Sequence, residues 1–290
     1  MAISRRRWVT CFIYYDALPL THPRYFSHRA DDGAALTRYH HVIASSENVA
    51  FISQSSRDTF EQRLARRRTT NGIVARPGAD GLQPHSAQSS ATPAFVVVGT
   101  VEARKRIGVV LDAFEQIWSA GRDYGLVVLG ARGPEQPDVI QRLEALSRKK
   151  TVSWLDRAGD DVISDALARS AAMLFLSDAE GCGVPPLEAL HAGCPVVVSA
   201  KLPALERLSD AGQIRLEEVT AEGVRFAIET MADPDRNAEF RRAIQGLELP
   251  TWKQFARDIE EWIANAVNKS RVDDPPRYRP GRSTLRSAQR

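Results

Sequence analysis

The chain has 290 residues, of which 43% are hydrophobic and 26% charged, which excludes a disordered or collagen-like protein. At about 150 residues per domain, this length indicates roughly two domains. Lysine and arginine exceed aspartate and glutamate by three, but residues 270–290 alone contain six Arg and two Asp. The other 269 residues therefore carry a net charge of −1, and the folded part gives no reason to expect a nucleic-acid partner.

The cysteines and the apolar runs bear on the compartment. Cys11, Cys182 and Cys194 are an odd number without CxxC spacing, so the sequence predicts neither a disulfide framework nor a zinc site. No apolar run reaches the roughly 18 residues that a membrane helix needs. These features favour a soluble cytoplasmic protein, with peripheral contact at the inner membrane face through Arg side chains.

Residues 1–75 contain the first predicted elements. Apolar patterns predict strands at 9–14 and 49–52, and helices at 34–44 and 57–67. These elements are too few for a complete doubly wound domain, so we expect a partial N-terminal domain. Residues 76–93, rich in Pro, Gly, Ser and Gln, are predicted to be an interdomain linker.

Residues 94–250 alternate short apolar runs with amphipathic patterns. The predicted strands lie at 95–98, 126–129, 151–154, 173–176 and 195–199, and the predicted helices at 107–120, 139–146, 162–168 and 187–192. Strands that are apolar throughout are buried on both faces. The alternation therefore predicts an α/β domain with a parallel, doubly wound sheet, whose ligands bind outside the carboxyl ends of the strands.

The end of the chain combines a helix with a basic tail. Thr251 is a good N-cap, and the apolar spacing after it predicts a closing helix within 251–268. Residues 269–290 are rich in Pro and Arg, so a disordered tail is expected there.

A basic cluster follows the predicted strand at 95–98. Gly99 and Thr100 open the segment GTVEARK, in which Arg104 and Lys105 precede a predicted helix. Cations and free backbone N–H groups at a helix N-terminus suit a diphosphate. The alternative is a solvated basic turn, which this stretch alone favours because basic clusters are weak motifs.

Two glutamates flank a loop after the predicted strand at 173–176. Glu180 could accept hydrogen bonds from sugar hydroxyls and Glu188 from a ribose diol. The candidate ligand-binding segment between them consists of Gly181, Cys182, Gly183 and Val184. The alternative is a solvated Glu180 and a Glu188 favoured only by the helix dipole, but the glycine-proline spacing with two flanking glutamates favours binding.

With these motifs in this order, the chain resembles the retaining glycosyltransferases of family 4, which have the two-domain GT-B fold. The segment from Glu180 to Val197 looks like the donor motif of that family, with two Glu separated by seven residues. GTVEARK resembles the segment that holds the donor diphosphate, and Tyr15 to Pro23 resembles the acceptor-domain loop. The resemblance extends over about residues 9–262.

The resemblance implies transfer of a hexose from a nucleotide sugar, with retention at the anomeric carbon and without a metal ion or other cofactor. Arg104, Lys105 and Glu180 would be the catalytic residues, the two cations neutralising the diphosphate. Donor contacts are implied for Gly99, Thr100, Glu188 and the 181–184 segment, and acceptor-side contacts for Tyr15 and Asp16. Family tendency favours GDP-mannose as donor and a glycan or lipid-linked acceptor in polysaccharide assembly.

Three departures from the family pattern matter. Cys182 stands where an aromatic residue is usual, and Tyr15 where many members have His. The motif expected near the middle of the first domain occurs at residue 15, so we expect about the first half of that domain to be missing. Either a partner chain completes the domain, or the reading frame starts late, or the gene is a remnant. The alternative function is therefore a non-catalytic or partner-dependent nucleotide-sugar-binding protein.

Overall fold

The computed structural model describes residues 8–26, 33–65, 68–82, 92–133 and 136–272. Residues 83–91 of the predicted linker and 273–290 of the predicted tail lie outside the described residues. In the described part, the strands form two parallel sheets, one of three strands and one of six. The predicted α/β class with parallel sheets is confirmed.

The first sheet has the order β1-β2-β3. Its strands are β1 (Phe12–Tyr14), β2 (Asn48–Phe51) and β3 (Asn71–Val74), and its helices are α1 (Leu18–Thr21), α2 (Gly33–Ala44) and α3 (Gln54–Thr59). The rings of Tyr14, Phe51 and Phe60 are fully buried and lie 4.8 to 5.9 Å apart between centroids. Burying each such ring stabilises the fold by about 1.5–3 kcal/mol, which gives this small sheet its core.

The helix predicted at 57–67 is wrong at both ends. It begins at Gln54, because Ser53 is the N-cap and its hydroxyl accepts from the Ser56 amide at 3.0 Å. From Phe60 to Leu64 the backbone widens into a π-helical turn, which closes with the Ala65 amide donating to the Phe60 carbonyl.

The second sheet has the order β6-β5-β4-β7-β8-β9, in which all neighbouring strands are parallel, so the direction in which strands are added to the sheet reverses between β4 and β7. Its strands are β4 (Ala94–Val98), β5 (Gly125–Leu129), β6 (Val152–Leu155), β7 (Ala172–Phe175), β8 (Val196–Ser199) and β9 (Gln213–Leu216). Its helices are α4 (Ile107–Ser119), α5 (Pro137–Leu146), α6 (Asp160–Arg169), α7 (Val184–His191), α8 (Ala221–Ala232) and α9 (Pro234–Ile244). Such a reversal opens a crevice at the carboxyl ends of the two central strands, where open α/β sheets bind ligands.

The last helix, α10 (Trp252–Val272), returns to the first sheet. Trp262 is buried, and its indole N–H donates to the carbonyl of Asn71 on β3 at 2.8 Å. At the start of α10, the Asp80 carboxylate accepts from the Trp252 amide. The helix runs beyond the predicted end at 268, so residues 269–272 are helical rather than part of a disordered tail.

All three cysteines are free thiols. Burial raises the pKa of Cys182 to about 11 and that of Cys194 to about 12. Both thiols are therefore protonated near neutral pH and act as packing groups. No helix in the described ranges is both long and apolar enough to cross a membrane.

Candidate active site

A cleft of about 250 Å³ lies between the two sheets, at the carboxyl ends of their strands. The wall from the first sheet comes from the segment after β1 and from α3 with its π-helical turn. The opposite wall comes from the segments after β7 and β8. The charged side chains that line the cleft are Asp16, Arg63, Asp178, Glu180 and Lys201.

Glu180 binds both predicted cations. Its Oε1 atom accepts from Nη1 of Arg104 and from Nζ of Lys105, each at 2.6 Å. Arg104 also contacts Glu102 at 2.8 Å through Nε. The sequence placed Arg104 and Lys105 after β4 and Glu180 after β7, and the pairing of β4 with β7 brings the three together.

The three side chains are only 11–15% exposed, so their charges interact with little screening by water. Burial lowers the pKa of Lys105, and the carboxylate of Glu180 opposes this shift. The Lys105 ammonium also lies 4.2 Å from the ring centroid of Phe175. Gly99 has φ +134°, and a Cβ atom there would lie 3.4 Å from Lys105 Cε, so a side chain at residue 99 would be strained.

Tyr15 and Asp16 directly contact the segment 181–184, called the glycine loop below. A Cβ atom on Gly181 would lie 2.9 Å from the Asp16 Cβ and 3.0 Å from the Tyr15 carbonyl oxygen, so only glycine allows this close approach. Two serines bind the same backbone. Ser53 donates to the Gly181 carbonyl and Ser56 to the Tyr15 carbonyl, both at 2.6 Å. Sequence reasoning did not select these serines as site residues, although they immediately follow a predicted strand.

The predicted donor-side residues from Cys182 to Glu188 are buried or half-buried. Gly183 has φ +87° and is the N-cap of α7, so the chain turns there in a conformation that favours glycine. Glu188, one turn into α7, is half-buried, and burial raises its pKa. The Cys182 side chain packs in the hydrophobic core with Ile52 and Leu202, away from the cleft lining.

A second pair across the cleft was not predicted. The hydroxyl of Tyr25 donates to Oδ2 of Asp178 at 2.5 Å, and Nη1 of Arg106 lies 3.7 Å from the same oxygen. Arg106 adopts a left-handed backbone conformation, φ 57°, between Lys105 and α4. Asp178 lies two residues before Glu180, but no sequence signal distinguished Tyr25.

The sequence of this chain matches the model of a known protein family. Residues 83–242, more than half of the chain, match the family model described as glycosyl transferases group 1. The chain belongs to this family. The family resemblance inferred from the motifs is thereby confirmed.

A mannosyltransferase is among the proteins with a sequence similar to that of this chain. The chain is 30% identical over 179 residues to the serotype-specific mannosyltransferase WbdA of Escherichia coli, a match that covers 61% of this chain and 22% of WbdA. The chain thus spans about a fifth of the length of that relative.

Solved glycosyltransferase structures share the fold. Sucrose-phosphate synthase from Thermosynechococcus elongatus superimposes with a TM-score of 0.70 at 15% identity, over 91% of this chain and 69% of that one. Anabaena HepE, solved with UDP and glucose, gives a TM-score of 0.66 at 17% identity, over 88% of this chain and 71% of that one. At these identities the likeness establishes the GT-B-type fold alone.

The cleft of this group 1 glycosyltransferase is lined by some of the predicted site residues. Within the described ranges, no set of three or more His, Cys, Asp or Glu side chains is arranged to hold a metal ion. Of the predicted site residues, Asp16, Glu180 and Gly181 line the cleft. Arg104 and Lys105 lie behind this lining and contact it through Glu180. The other predicted site residues also lie outside the lining: Tyr15, Gly99, Thr100, Cys182, Gly183, Val184 and Glu188. Two oriented cations and the glycine loop are suited to an anionic, hydroxyl-rich ligand.

Proposed function

We propose that this glycosyltransferase transfers a hexose, mannose, from a nucleotide sugar to a glycan or lipid-linked acceptor, with retention at the anomeric carbon. The observation that carries the proposal is the cluster of Arg104, Lys105 and Glu180 at the switch between β4 and β7. The name of WbdA, a mannosyltransferase, supports the choice of sugar. The complex of HepE with UDP supports a nucleoside diphosphate as the leaving group.

Arg104 and Lys105 would stabilise the departing nucleoside diphosphate. Its negative charge grows as the bond to the sugar breaks, so fixed cations bind the transition state more strongly than the ground state. Their low exposure strengthens this effect. The carboxylate of Glu180 holds both cations in place and is positioned to accept a hydrogen bond from a sugar hydroxyl, while Glu188 would bind the ribose. With these cations in place, the proposal needs no metal ion or other cofactor.

Replacing Lys105 tests the proposal. We expect Lys105→Ala to lower kcat for transfer from GDP-mannose about 10²–10³-fold, the usual effect of removing one group that stabilises transition-state charge. The exposed Lys253 on α10 provides the control, and Lys253→Ala should keep full turnover. Both assays are run with and without EDTA, which should make no difference. Full turnover by Lys105→Ala would remove the main support for the proposal.

Nucleotide-sugar binding without transfer is a second candidate. It is favoured by the small first sheet, which has three strands in the described residues against six in the second sheet. Under this function GDP-mannose should raise Tm, because it binds the native state, while neither transfer nor slow hydrolysis of the donor is detected. Stabilisation together with hydrolysis would instead support the transferase.

A further inference from the structure

Two cations that line the cleft, Arg63 and Lys201, have no ion-pair partner among the described residues. Arg63 lines the wall from the first sheet, Lys201 lines the wall from the second, and both side chains are exposed. Among the described residues, neither side chain has a carboxylate at ion-pair distance. Two unpaired cations facing one narrow space favour an anion between them.

The other charged side chains of the cleft have defined contacts. Glu180 binds Arg104 and Lys105, and Asp178 accepts from Tyr25. The Asp16 carboxylate accepts from the Leu18 amide at 2.9 Å. Arg106 also lies 3.7 Å from Asp178, whereas the amide that binds Asp16 is neutral and leaves the charge of that carboxylate in place. Among the described residues, Arg63 and Lys201 are thus the cations of the cleft lining that have no carboxylate at ion-pair distance.

Local structure explains why Arg63 is unpaired in the cleft. It lies in the π-helical turn from Phe60 to Leu64, a rare geometry that is frequently found at functional sites. Glu61, two residues before Arg63, has other hydrogen-bond partners: it accepts from Arg57 at 3.2 Å and from the Thr69 hydroxyl at 2.6 Å. These contacts lower the pKa of Glu61, so it stays ionised and holds the turn in place.

His22 adds no third charge to this space. Burial, together with the nearby Arg24 and Arg63, lowers the pKa of its imidazole. The ring is thus neutral near pH 7, and it lines the cleft as an uncharged polar group.

We propose that Arg63 and Lys201 form a phosphate-binding subsite for the acceptor, on the opposite side of Glu180 from Arg104 and Lys105. Calling its ligand the acceptor rests on the proposed function, but binding of the anion does not. The shared chemistry is a phosphoryl group, which a phosphorylated sugar or a lipid-linked diphosphate would supply. Lys201 follows β8 and Arg63 follows α3, so a phosphate would connect the two walls.

The subsite is tested by calorimetric titration with two probes, mannose 6-phosphate and farnesyl diphosphate. GDP is present at saturation, so that it occupies Arg104 and Lys105. The double variant Arg63→Ala/Lys201→Ala should bind the preferred probe at least about tenfold more weakly, because charge-assisted hydrogen bonds are lost. Its affinity for GDP should stay unchanged. A preference for the first probe indicates a phosphorylated sugar acceptor, and a preference for the second indicates a lipid-linked one.

A matched variant controls for the loss of two charges. Arg122 and Lys150 are exposed at the amino ends of the strands in the second sheet, so Arg122→Ala/Lys150→Ala should bind both probes as the unaltered protein does. Equal probe affinity in the unaltered protein and Arg63→Ala/Lys201→Ala, or no binding of either probe to the unaltered protein, would overturn the subsite. Failure of GDP to bind the unaltered protein would contradict the proposed function instead, and a loss of probe binding in the cleft variant would still support the subsite.

Discussion

At the scale of single residues, burial of Glu188 disfavours the ionised form of its side chain. Burial raises its pKa above the usual 4.5, so the folded state disfavours the carboxylate. Relative to Glu188→Gln, the free energy of unfolding of the unaltered protein is therefore highest below pH 4.5 and falls as the pH rises through the raised pKa. We expect Glu188→Gln to have the higher Tm near neutral pH, with the difference shrinking towards pH 4.5.

The measurement for Glu188 is a series of thermal melts across this pH range. Glu239→Gln, at an exposed position on α9, is the control and should show no comparable trend. A Tm difference for Glu188→Gln that does not change with pH would contradict the role of burial.

At the same scale, the sequence predicted the charged residues of the site better than their partners. Arg104, Lys105 and Glu180 follow strand ends in a recognisable motif, so their shared location could be predicted from the strand order. The bonds from Tyr25 to Asp178 and from Ser53 to Gly181 join positions 153 and 128 residues apart. No periodicity or spacing encodes such contacts, because they depend on how the two sheets are placed.

At the scale of elements, Ser53 performs two tasks that can be separated. Its hydroxyl oxygen caps α3, and its hydroxyl proton bonds the Gly181 carbonyl across the cleft. We expect Ser53→Ala to lower the free energy of unfolding by about 2–3 kcal/mol, the sum of a lost cap and a lost buried hydrogen bond. Thr220 caps α8 through its contact with Gly223 alone, so Thr220→Ala should cost only about 1 kcal/mol.

Urea unfolding of both cap variants measures the difference. If Ser53→Ala costs no more than Thr220→Ala, the bond to Gly181 does not connect α3 to the glycine loop in solution. If Ser53→Ala lowers the free energy of unfolding more than Thr220→Ala does, the difference between the two losses gives the strength of the hydrogen bond from Ser53 to Gly181.

Strands of the second sheet could be predicted because they are short, uniformly apolar runs. The ends of β4 to β8 lie within one residue of the predicted ends. Two strands were missed for a physical reason. β3 begins with Asn71 and Gly72, a pair that favours turns, and β9 contains Gln213 and Arg215 among its four residues. In each case pairing with a neighbouring parallel strand outweighs the local preference.

At the scale of the whole molecule, the chain connects its two sheets more than once. Besides the contacts around Gly181, the Arg76 guanidinium donates to the Ala204 carbonyl at 2.9 Å. Helix α10 then follows the second sheet in the chain and packs on the first through Trp262. Helix α10 therefore links the end of the chain to the first sheet without contributing a side chain to the cleft lining.

Trp262 provides the test of the contact between α10 and the first sheet. Trp262→Ala removes a large buried side chain and its bond to Asn71, so we expect a loss of about 3–5 kcal/mol in the free energy of unfolding. Ile263, the next residue, is 40% exposed, and Ile263→Ala should change stability by about 0.5 kcal/mol or less. Hydrogen exchange locates the effect: because the bond holds β3, amides of β1 to β3 should exchange faster in Trp262→Ala while those of β4 to β8 keep their protection. Equal loss of protection in both sheets would mean instead that the two sheets unfold as one cooperative unit and that α10 stabilises the whole molecule.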